Sequence, residues 1–405
     1  MTHTSDVLII GAGAFGAATA HQLATRGARV TVLDRRAVAS QTSPRAAGLA
    51  STVRGTDLMT VIASRAATML AEIEADSGQY FGIVRPGSLK LARMLEDVTV
   101  LVAEQERATR HGLGAQLIHA DDVSTLHPLL EPDGILAALH VPSDLYFEPS
   151  QVAIGLVLAA ARAGAAFVPE AEVSGIRRDG DRVTGVETNR GTFSAGVVVD
   201  AAGAWAGQLA ALAGVRIPLV PMRHQLFITQ PLAGVLPGLP LLRFIDAGVY
   251  VRPCWGGLLL GGYESEPLVI DPDRLPATFD MRDTPLELNV LRTLAEKVTG
   301  QLPILRGAGI RAHRGGIPTL TVDGQHVLGP APGLHGFFVA AGDNVAGLSV
   351  SPMIGLLLAE WILDGRPSLD LAPMAVDRFG PEWADDVAVR AAAIRNYVSF
   401  YRGTL

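Results

Sequence analysis

Three glycines near the start of the chain have the spacing of a phosphate-binding loop. Gly11, Gly13 and Gly16 lie in the segment GAGAFG, which follows an apolar run at residues 6–10. In such a loop the first glycine permits a tight turn, the second lets the backbone approach a pyrophosphate, and the third lets the next helix pack closely on the strand. Asp34 ends the next apolar run, where its carboxylate can accept hydrogen bonds from ribose hydroxyls. The glycine pattern alone is weak, but in this context it predicts a dinucleotide site.

The elements that must position this loop form a strand–helix–strand unit. Strands are predicted at residues 6–10 and 29–33, and the Ala-rich stretch between them predicts a helix that ends near Arg26, before Gly27. The dipeptide Ser351-Pro352 has the pattern of an N-cap followed by proline, so a late helix is predicted from there to about residue 364. Further helices are predicted at 57–76, 96–111 and 151–163, and further strands at 197–199 and 337–341.

Composition restricts the class of protein. Of the 405 residues, 49% are hydrophobic and 18% are charged, so a large core is expected and disorder is not. The net charge of -7, without a basic run, argues against nucleic acid as a partner. Cys254 is the only cysteine, so we expect no disulfide framework and no metal site. Because no apolar run reaches about 18 residues and no secretion signal is evident, we expect a cytoplasmic protein without a membrane span.

Three features favour FAD over NAD as the dinucleotide. The glycine loop is not followed by a regular series of strand–helix repeats. The loop at residues 40–49 is rich in small residues, so its backbone can lie along an isoalloxazine ring. A late strand, a Gly-Asn loop and a helix return near residue 340, and the helix N-terminus can stabilise a reduced, anionic flavin by its dipole. An NAD-dependent dehydrogenase remains an alternative.

These segments predict an α/β protein with two interleaved parts. The first is a discontinuous, Rossmann-type FAD-binding domain, and the second is an inserted α+β substrate domain with an antiparallel sheet. We assign residues 1–85, 151–215 and 311–380 to the FAD-binding domain, 86–150 and 216–310 to the substrate domain, and 381–405 to a C-terminal helical tail.

Several segments together resemble the D-amino-acid oxidase/glycine oxidase superfamily of FAD enzymes, and the likeness covers nearly the whole chain. The segments that carry it are GAGAFG, Asp34-Arg35, SPRAAGLAS at 43–51, VVVDAAGAWA at 197–206 and GFFVAAGDNVAGLSVSP at 336–352. The sequence is most similar to the sarcosine dehydrogenase and dimethylglycine oxidase/dehydrogenase branch, on the segments PMRHQ at 221–225, YVRP at 250–253, GGLLLGGYESEP at 256–267 and GRPSLDLAPMAVDRF at 365–379. Their order and spacing are more specific than any one of them.

The resemblance implies a set of residues that contact FAD. They are Gly11, Gly13, Ala14, Phe15, Gly16, Asp34, Arg35, Ser43, Ala47, Gly48, Leu49, Val173, Ala202, Gly203, Asp343, Asn344, Gly347, Leu348 and Ser349. In that branch a histidine before the Ala-Ala-Gly stretch often carries the flavin covalently, but here Arg45 stands there. Residues 311–319, where related oxidases attach flavin to a cysteine, contain none. We therefore expect the FAD to be bound non-covalently.

The resemblance also implies removal of a hydride from the carbon next to an amine nitrogen. His224 is suited to take the ammonium proton because the ordinary pKa of histidine is near neutrality, and Tyr250 can share or orient that proton. A histidine and a tyrosine at matching positions have this role in dimethylglycine oxidases. From the residues alone, a strand histidine with satisfied hydrogen bonds and a core tyrosine are the simpler interpretation.

Substrate recognition is less well defined by the resemblance. Arg54 and Arg252 can hold a carboxylate bidentately, and His313 and Arg314 are weaker candidates. Two lysines of sarcosine oxidases are replaced here, by Leu259 and Ser349, and the leucine weakens the case for fast reaction with oxygen. Glycine oxidases bind the substrate carboxylate with the arginine of a Gly-Leu-Arg-Pro stretch, and residues 316–319 lack that arginine. We therefore expect an N-methyl or other secondary or tertiary amine that is not plain sarcosine.

Other functions remain open at this stage. The chain can act on a cyclic imino acid or an opine, or it can be a flavin-binding subunit of a larger complex without turnover of its own. The electron acceptor is oxygen or another oxidant, and an oligomer is possible. The resemblance stops near the point where dimethylglycine-type enzymes continue into a folate-binding domain, so we expect no transfer of formaldehyde to folate within this chain.

Overall fold

The computed structural model describes residues 3–402, and the predictions for residues 1, 2 and 403–405 lie outside it. Its helices are α1 (Ala14–Thr25), α2 (Asp57–Ser77), α3 (Leu95–Arg110), α4 (Val123–Leu126), α5 (Pro149–Arg162), α6 (Ala206–Leu212), α7 (Leu288–Glu296), α8 (Gly347–Asp364) and α9 (Asp386–Val398). Its strands are β1 (His3–Thr4), β2 (Val7–Ile10), β3 (Val30–Leu33), β4 (Leu49–Ala50), β5 (Ser88–Ala92), β6 (Gln116–His119), β7 (Ala137–Val141), β8 (Leu145–Tyr146), β9 (Ala166–Val168), β10 (Val173–Asp179), β11 (Arg182–Thr188), β12 (Gly191–Ser194), β13 (Val197–Asp200), β14 (Leu219–Pro221), β15 (His224–Thr229), β16 (Leu241–Phe244), β17 (Val249–Cys254), β18 (Gly257–Gly262), β19 (Ile310–Gly316), β20 (Thr319–Thr321), β21 (Val327–Pro330) and β22 (Phe337–Ala341).

A six-stranded sheet with the order β21-β22-β13-β2-β3-β9 forms the nucleotide-binding part. All its neighbouring strands are parallel except β21, which is antiparallel to β22. The four residues of β2 are all buried apolar residues, as parallel strands covered on both faces require. Helices α1, α2, α5 and α8 pack together beside this sheet. The predicted α/β class and its Rossmann-type sheet are therefore confirmed.

A second sheet of eight strands has the order β19-β15-β18-β17-β16-β5-β7-β6. It is antiparallel except where β16 pairs with β5, and helices α3 and α7 pack against it. Its strands come from two stretches of the chain, residues 88–141 and 224–316. The expected boundary at residue 311 lies inside β19, which continues this sheet to Gly316, so that boundary needs correction.

The late helix α8 begins five residues earlier than the sequence predicted. It starts at Gly347, and Ser351-Pro352 lies inside the helix instead of capping it. Pro352 has no N–H for the carbonyl of Leu348, and the Ser351 hydroxyl donates a hydrogen bond to that carbonyl at 3.0 Å. The helix therefore continues through the proline without leaving that carbonyl unsatisfied. It ends, as predicted, at Gly365, which has the left-handed φ of 78°.

Helix α8 is also the one helix of the described residues that is long and apolar enough to cross a membrane, judged by length and composition only. Of that span, 61% is buried inside the protein. A Cβ atom at Gly355 would lie 2.5 Å from the backbone carbon of Ala18, so α8 and α1 touch backbone to backbone. These are the properties of a core helix, and its N-terminus is directed by this packing toward the site described next.

Candidate active site

The glycine loop has the geometry that its spacing predicted. Gly11 adopts a φ of 107°, and a Cβ atom there would lie 2.3 Å from the carbonyl oxygen of Ala201 in the segment after β13. A Cβ atom at Gly16 would lie 1.9 Å from the Gly11 carbonyl oxygen, so only glycine allows this contact between helix and loop. Ser43 accepts a hydrogen bond from the Ala14 N–H at 3.0 Å, which ties the small-residue loop to the start of α1.

A cavity beside this loop, here called the nucleotide cavity, has a carboxylate at one end. Asp34 accepts hydrogen bonds from the backbone N–H groups of Ala12 and Arg36, both at 2.7 Å. These bonds orient the carboxylate and leave lone pairs for ribose hydroxyls, although burial raises its pKa. The guanidinium of Arg35 lies 3.6 Å from the centre of the Trp205 ring. Trp205 lines the cavity too, although the sequence analysis included it only within the segment at 197–206 and predicted no role for it.

A second cavity, here called the catalytic cavity, continues from the first. The two share Gly13, Thr42, Ser43, Ala201 and Gly203 in their walls, so together they form one elongated cleft. The cleft runs from Asp34 past the N-terminus of α1 to the second sheet. An extended dinucleotide fits this arrangement, because a ribose-binding carboxylate, a helix N-terminus for phosphates and a wide chamber follow one another.

The far wall of the catalytic cavity contains the N-terminus of α8. Val345, Gly347, Leu348 and Ser349 line it, and the N-cap residue Ala346 has no side-chain hydrogen bond for the helix N–H groups. This uncapped, positive helix end suits the anionic form of a reduced flavin. Val345 has a φ of 64°, a strained value for a β-branched residue. Strain of this kind is concentrated at functional loops.

The neighbours Asp343 and Asn344 have different surroundings, since one lines the cavity and the other is bonded within the loop. Asp343 lines the cavity and accepts from the N–H groups of Val345 and Thr319, and its burial raises the pKa to about 6. Asn344 turns away. Its amide oxygen accepts from the Thr321 N–H at 3.1 Å, and its amide nitrogen donates to the Gly342 carbonyl at 2.8 Å. The Asn344 side chain therefore fixes the loop, and the cofactor contact of Asn344 stays a prediction.

His224 and Tyr250 lie together at the catalytic cavity, as the resemblance implied. The Tyr250 hydroxyl is 2.9 Å from His224 Nε2, and the hydroxyl of Tyr397 is 2.8 Å from His224 Nδ1. Burial lowers the pKa of His224 to about 4. The expectation of a histidine that titrates near neutrality is therefore wrong, since desolvation disfavours the charged ring. Opposite Tyr250 is Gly261, where a Cβ atom would lie 2.2 Å from the hydroxyl oxygen.

Three further aromatic residues line the same cavity and were missed by the sequence analysis. The rings of Tyr263 and Phe400 are stacked with their centres 4.5 Å apart, and the Tyr401 ring meets Tyr263 edge-on at 5.3 Å. Tyr263 is also 5.3 Å from the His224 ring. The cavity therefore has apolar, electron-rich walls, which suit an alkylated ammonium group or its free amine.

Arg54 is a cation of the catalytic cavity that has no partner for its guanidinium among the described residues. Within residues 3–402 its guanidinium forms neither an ion pair nor a hydrogen bond, and the nearest ring, Phe400, is 5.9 Å away. Burial lowers its pKa, as expected for a cation without a partner. The neighbouring Arg243 differs, because it is paired with Asp144 at 2.9 Å. An anionic ligand group would satisfy Arg54 and not Arg243.

The structure does not bring the other predicted substrate residues to this cavity. Arg252 donates to the carbonyls of Ala47, Phe147 and Pro253, so it supports the loop behind the cavity. His313 is bonded to Gln225 at 3.0 Å, and Arg314 donates to the Ala46 carbonyl at 3.1 Å. These three predictions are corrected for one reason. Their side chains point to backbone or core partners, and the direction of a side chain on a strand was not fixed by sequence.

Three more residues bear on covalent attachment of flavin or on reaction with oxygen. Each either lies away from the cavity or is hydrogen-bonded to the backbone. Arg45 lines the cavity but donates to the Gly315 carbonyl at 2.6 Å. Cys254 is buried, and it lines a separate small cavity with Arg252. Leu259 is fully buried in β18.

Most of the predicted cofactor residues line the cleft. In the catalytic cavity these are Gly13, Ala14, Phe15, Ser43, Ala47, Gly48, Leu49, Gly203, Asp343, Gly347, Leu348 and Ser349. In the nucleotide cavity they are Gly11, Gly13, Asp34, Arg35, Ser43, Val173, Ala202 and Gly203. Gly16 and Asn344 line neither cavity and act on the loop geometry instead.

Comparison with known proteins agrees with this cleft. Residues 6–361 match the DAO family, described as FAD dependent oxidoreductase. The chain is 31% identical over 383 residues to mitochondrial sarcosine dehydrogenase of Homo sapiens, covering 93% of this chain and 41% of that protein. It is 32% identical over 379 residues to 4-methylaminobutanoate oxidase (formaldehyde-forming) of Paenarthrobacter nicotinovorans, covering 93% and 46%. The chain thus spans less than half the length of these two relatives.

A solved structure is similar over its full length. The L-proline dehydrogenase of P. horikoshii superposes with a TM-score of 0.84 at 26% identity, covering 94% of this chain and 98% of that one. The family match, the two sheets and the cleft that begins at the glycine loop lead to one assignment. The chain belongs to the DAO family of FAD-dependent oxidoreductases.

Proposed function

We propose that this protein uses FAD to oxidise a secondary or tertiary amine that also carries a carboxylate, with N-methyl amino acids as the main class. The observation that carries the proposal is the unpaired guanidinium of Arg54, in one cavity with His224, Tyr250 and the aromatic walls. A half-buried cation that has no ion-pair partner can be paired by an anionic group of a ligand. A substrate carboxylate does so with two parallel hydrogen bonds.

The residues of the cavity divide the work of binding and orientation. Arg54 holds the carboxylate, and the rings of Tyr263 and Phe400 enclose the alkyl groups on nitrogen and exclude water. The glycine loop, Asp34 and the N-terminus of α8 would hold FAD, which would supply the hydride acceptor for the carbon next to nitrogen. Loss of that hydride from the neutral amine leaves an iminium ion, and a secondary amine then loses its nitrogen proton to give an imine. Water hydrolyses either product to an aldehyde and a shorter amine.

In this proposal His224 is not the group that accepts the proton of the substrate ammonium. Its burial lowers the pKa to about 4, so the ring is neutral throughout the neutral range. The ring becomes protonated to the cation only below about pH 4, so its charge does not change near neutral pH. The pH dependence of amine oxidation near neutrality therefore follows the ionisation of the substrate. His224 acts on the substrate through its hydrogen bond to Tyr250.

The relatives support the same class of substrate. Sarcosine, 4-methylaminobutanoate and L-proline, the compounds in their names, are all secondary amines with a carboxylate. The first two carry an N-methyl group, and the third is cyclic. A cyclic imino acid is accordingly the second candidate, and the similarity of the whole fold to the L-proline dehydrogenase favours it.

Anaerobic mixing with a ligand panel tests the proposal. The FAD-bound protein should lose the visible absorbance of oxidised flavin when mixed with one of sarcosine, 4-methylaminobutanoate, N,N-dimethylglycine or L-proline. Glycine and propionate, which lack the N-alkyl group or the amine, should leave it unchanged. Readmission of air then distinguishes an oxidase from a dehydrogenase. If none of the amines that carry a carboxylate reduces the flavin, while simple alkylamines do, the role assigned to Arg54 is wrong.

A second prediction concerns attachment of the cofactor. Within residues 3–402 the only cysteine, Cys254, lies in a different cavity, and Arg45 is engaged with the Gly315 carbonyl. We therefore expect acid precipitation to release all the flavin into the supernatant. A yellow pellet after washing in denaturant would contradict non-covalent binding, and peptide mapping would then locate the attached residue.

A further inference from the structure

A tyrosine from the C-terminal helix completes a chain of hydrogen bonds that ends in the catalytic cavity. Tyr397 lies near the end of α9 and is fully buried. Its hydroxyl is 2.8 Å from His224 Nδ1, while the Tyr250 hydroxyl is 2.9 Å from Nε2. Tyr250 lines the catalytic cavity and Tyr397 does not. His224 therefore links a residue outside the cavity to a residue that can touch the substrate.

The two tyrosine hydroxyls cannot both donate a hydrogen bond to this histidine, nor can both accept one from it. A neutral imidazole has one N–H group and one lone pair, so one hydroxyl must donate to the ring and the other must accept from it. Burial keeps the ring neutral by lowering the pKa of His224 to about 4. The chain Tyr397–His224–Tyr250 therefore has one of two opposite directions, and these have opposite consequences for the substrate.

The burial of Tyr397 selects the direction. Its hydroxyl is enclosed in the core, where a donor without an acceptor is costly. The acceptor that the structure provides for it is His224 Nδ1. The ring proton then lies on Nε2 and is donated to the oxygen of Tyr250. The Tyr250 hydroxyl can then donate its proton in a hydrogen bond to an acceptor in the catalytic cavity.

We propose that Tyr397 is a positioning residue that holds His224 as the Nε2–H tautomer, so that Tyr250 donates a hydrogen bond to an acceptor atom of the substrate. This rests on the proposed function only in placing the substrate in this cavity. The acceptor is a carboxylate oxygen or the lone pair of an unprotonated amine. An ammonium nitrogen, which has only protons to offer, does not match a donating hydroxyl.

The tautomer can be measured without any substrate. In the FAD-bound protein labelled with ¹⁵N-histidine, the signals of His224 are identified by their loss in His224→Gln. At neutral pH we expect a protonated Nε2 and an unprotonated Nδ1. The opposite assignment, with the proton on Nδ1, would overturn the proposal whatever the protein oxidises. This result is independent of the flavin-reduction test, so the two proposals can fail separately.

The variant Tyr397→Phe keeps the buried ring and removes only the hydroxyl. We expect both tautomers of His224 to appear, and binding of one of two probes to weaken about two- to tenfold, the worth of one neutral hydrogen bond. The probes are propionate, a carboxylate without an amine, and dimethylamine at alkaline pH, an amine without a carboxylate. Both are followed by the change in flavin absorbance. Whichever loses affinity identifies the acceptor that Tyr250 meets.

A matched control separates positioning from loosening of the helix end. Ser399 follows α9, and its hydroxyl donates to the Arg395 carbonyl at 2.7 Å. Ser399→Ala should leave both the tautomer and the affinity for the probes unchanged. Equal effects of Ser399→Ala and Tyr397→Phe would overturn the proposal, as would a Tyr397→Phe protein with native tautomer and native affinity for both probes.

Discussion

Replacing Arg54 with methionine should lower kcat/KM for the carboxylate-bearing substrate by about 100-fold, mostly through KM. The half-buried guanidinium faces the catalytic cavity and has no ion-pair partner within residues 3–402, so we expect a substrate carboxylate to be its counter-charge. A charge-assisted hydrogen bond is worth about 1.5–3 kcal/mol, so the lower limit for two bonds is about 3 kcal/mol, which corresponds to a factor on the order of 100. Steady-state kinetics and flavin reduction measure the loss.

Two further variants are needed to interpret the result for Arg54→Met. Arg54→Lys keeps the charge but not the planar pair of donors, so its loss should be intermediate. Arg26→Met removes a surface guanidinium paired with Asp364 and should leave the kinetics unchanged. Dimethylamine, which has no carboxylate, should bind equally well to the native and the Arg54→Met proteins, as followed by the change in flavin absorbance. A similar loss for both kinds of amine would mean that Arg54 supports the fold and not the substrate.

The second large effect is expected at Gly11, on the other side of the cleft. Gly11→Ala should yield a protein that purifies with little or no FAD. The backbone there has a φ of 107°, and the added Cβ would lie 2.3 Å from the Ala201 carbonyl oxygen. Backbone strain alone costs about 1–3 kcal/mol, and relief of the clash must move the glycine loop away from β13. The ratio of flavin to protein absorbance, and titration with added FAD, measure the effect.

Gly27→Ala is the matched control, because Gly27 belongs to the same strand–helix–strand unit and has a φ of 87°. An added Cβ there meets no atom within 4 Å. We expect a loss of stability of about 1 kcal/mol and full FAD content. If Gly11→Ala binds FAD as well as Gly27→Ala does, then the contact between the loop and Ala201 is not needed for the cofactor.

The local patterns of the sequence predicted the nucleotide-binding part well. A short apolar run, glycines with fixed spacing and an acidic residue at a strand end are local signals, and the six-stranded sheet places them as expected. The start of α8 was wrong because Ser351-Pro352 imitates a capping pattern. Only the structure shows that the Ser351 hydroxyl compensates for the missing N–H of the proline.

The catalytic cavity was predicted only in part. His224 and Tyr250 were named together on a resemblance, and they are in hydrogen-bond contact. Tyr397 and Phe400 carry no local signal, because their place in the site depends on how α9 packs against β14 and β20. That packing is fixed by contacts such as Asn396, which donates to the Val322 carbonyl at 2.7 Å. Contacts of this kind join residues far apart in the chain and leave no periodicity to read.

The strand order of the parallel sheet has a consequence for the time course of folding. Val7 pairs with Val197, and Val198 pairs with Phe337, so the central strands come from three distant parts of the chain. Closing such long loops is slow, because the entropy is lost before the contacts form. The cofactor cleft therefore exists only late in folding, after residue 337 has joined the sheet. FAD then stabilises the finished domain by mass action, so a cell short of riboflavin would accumulate a folded but less stable apoprotein.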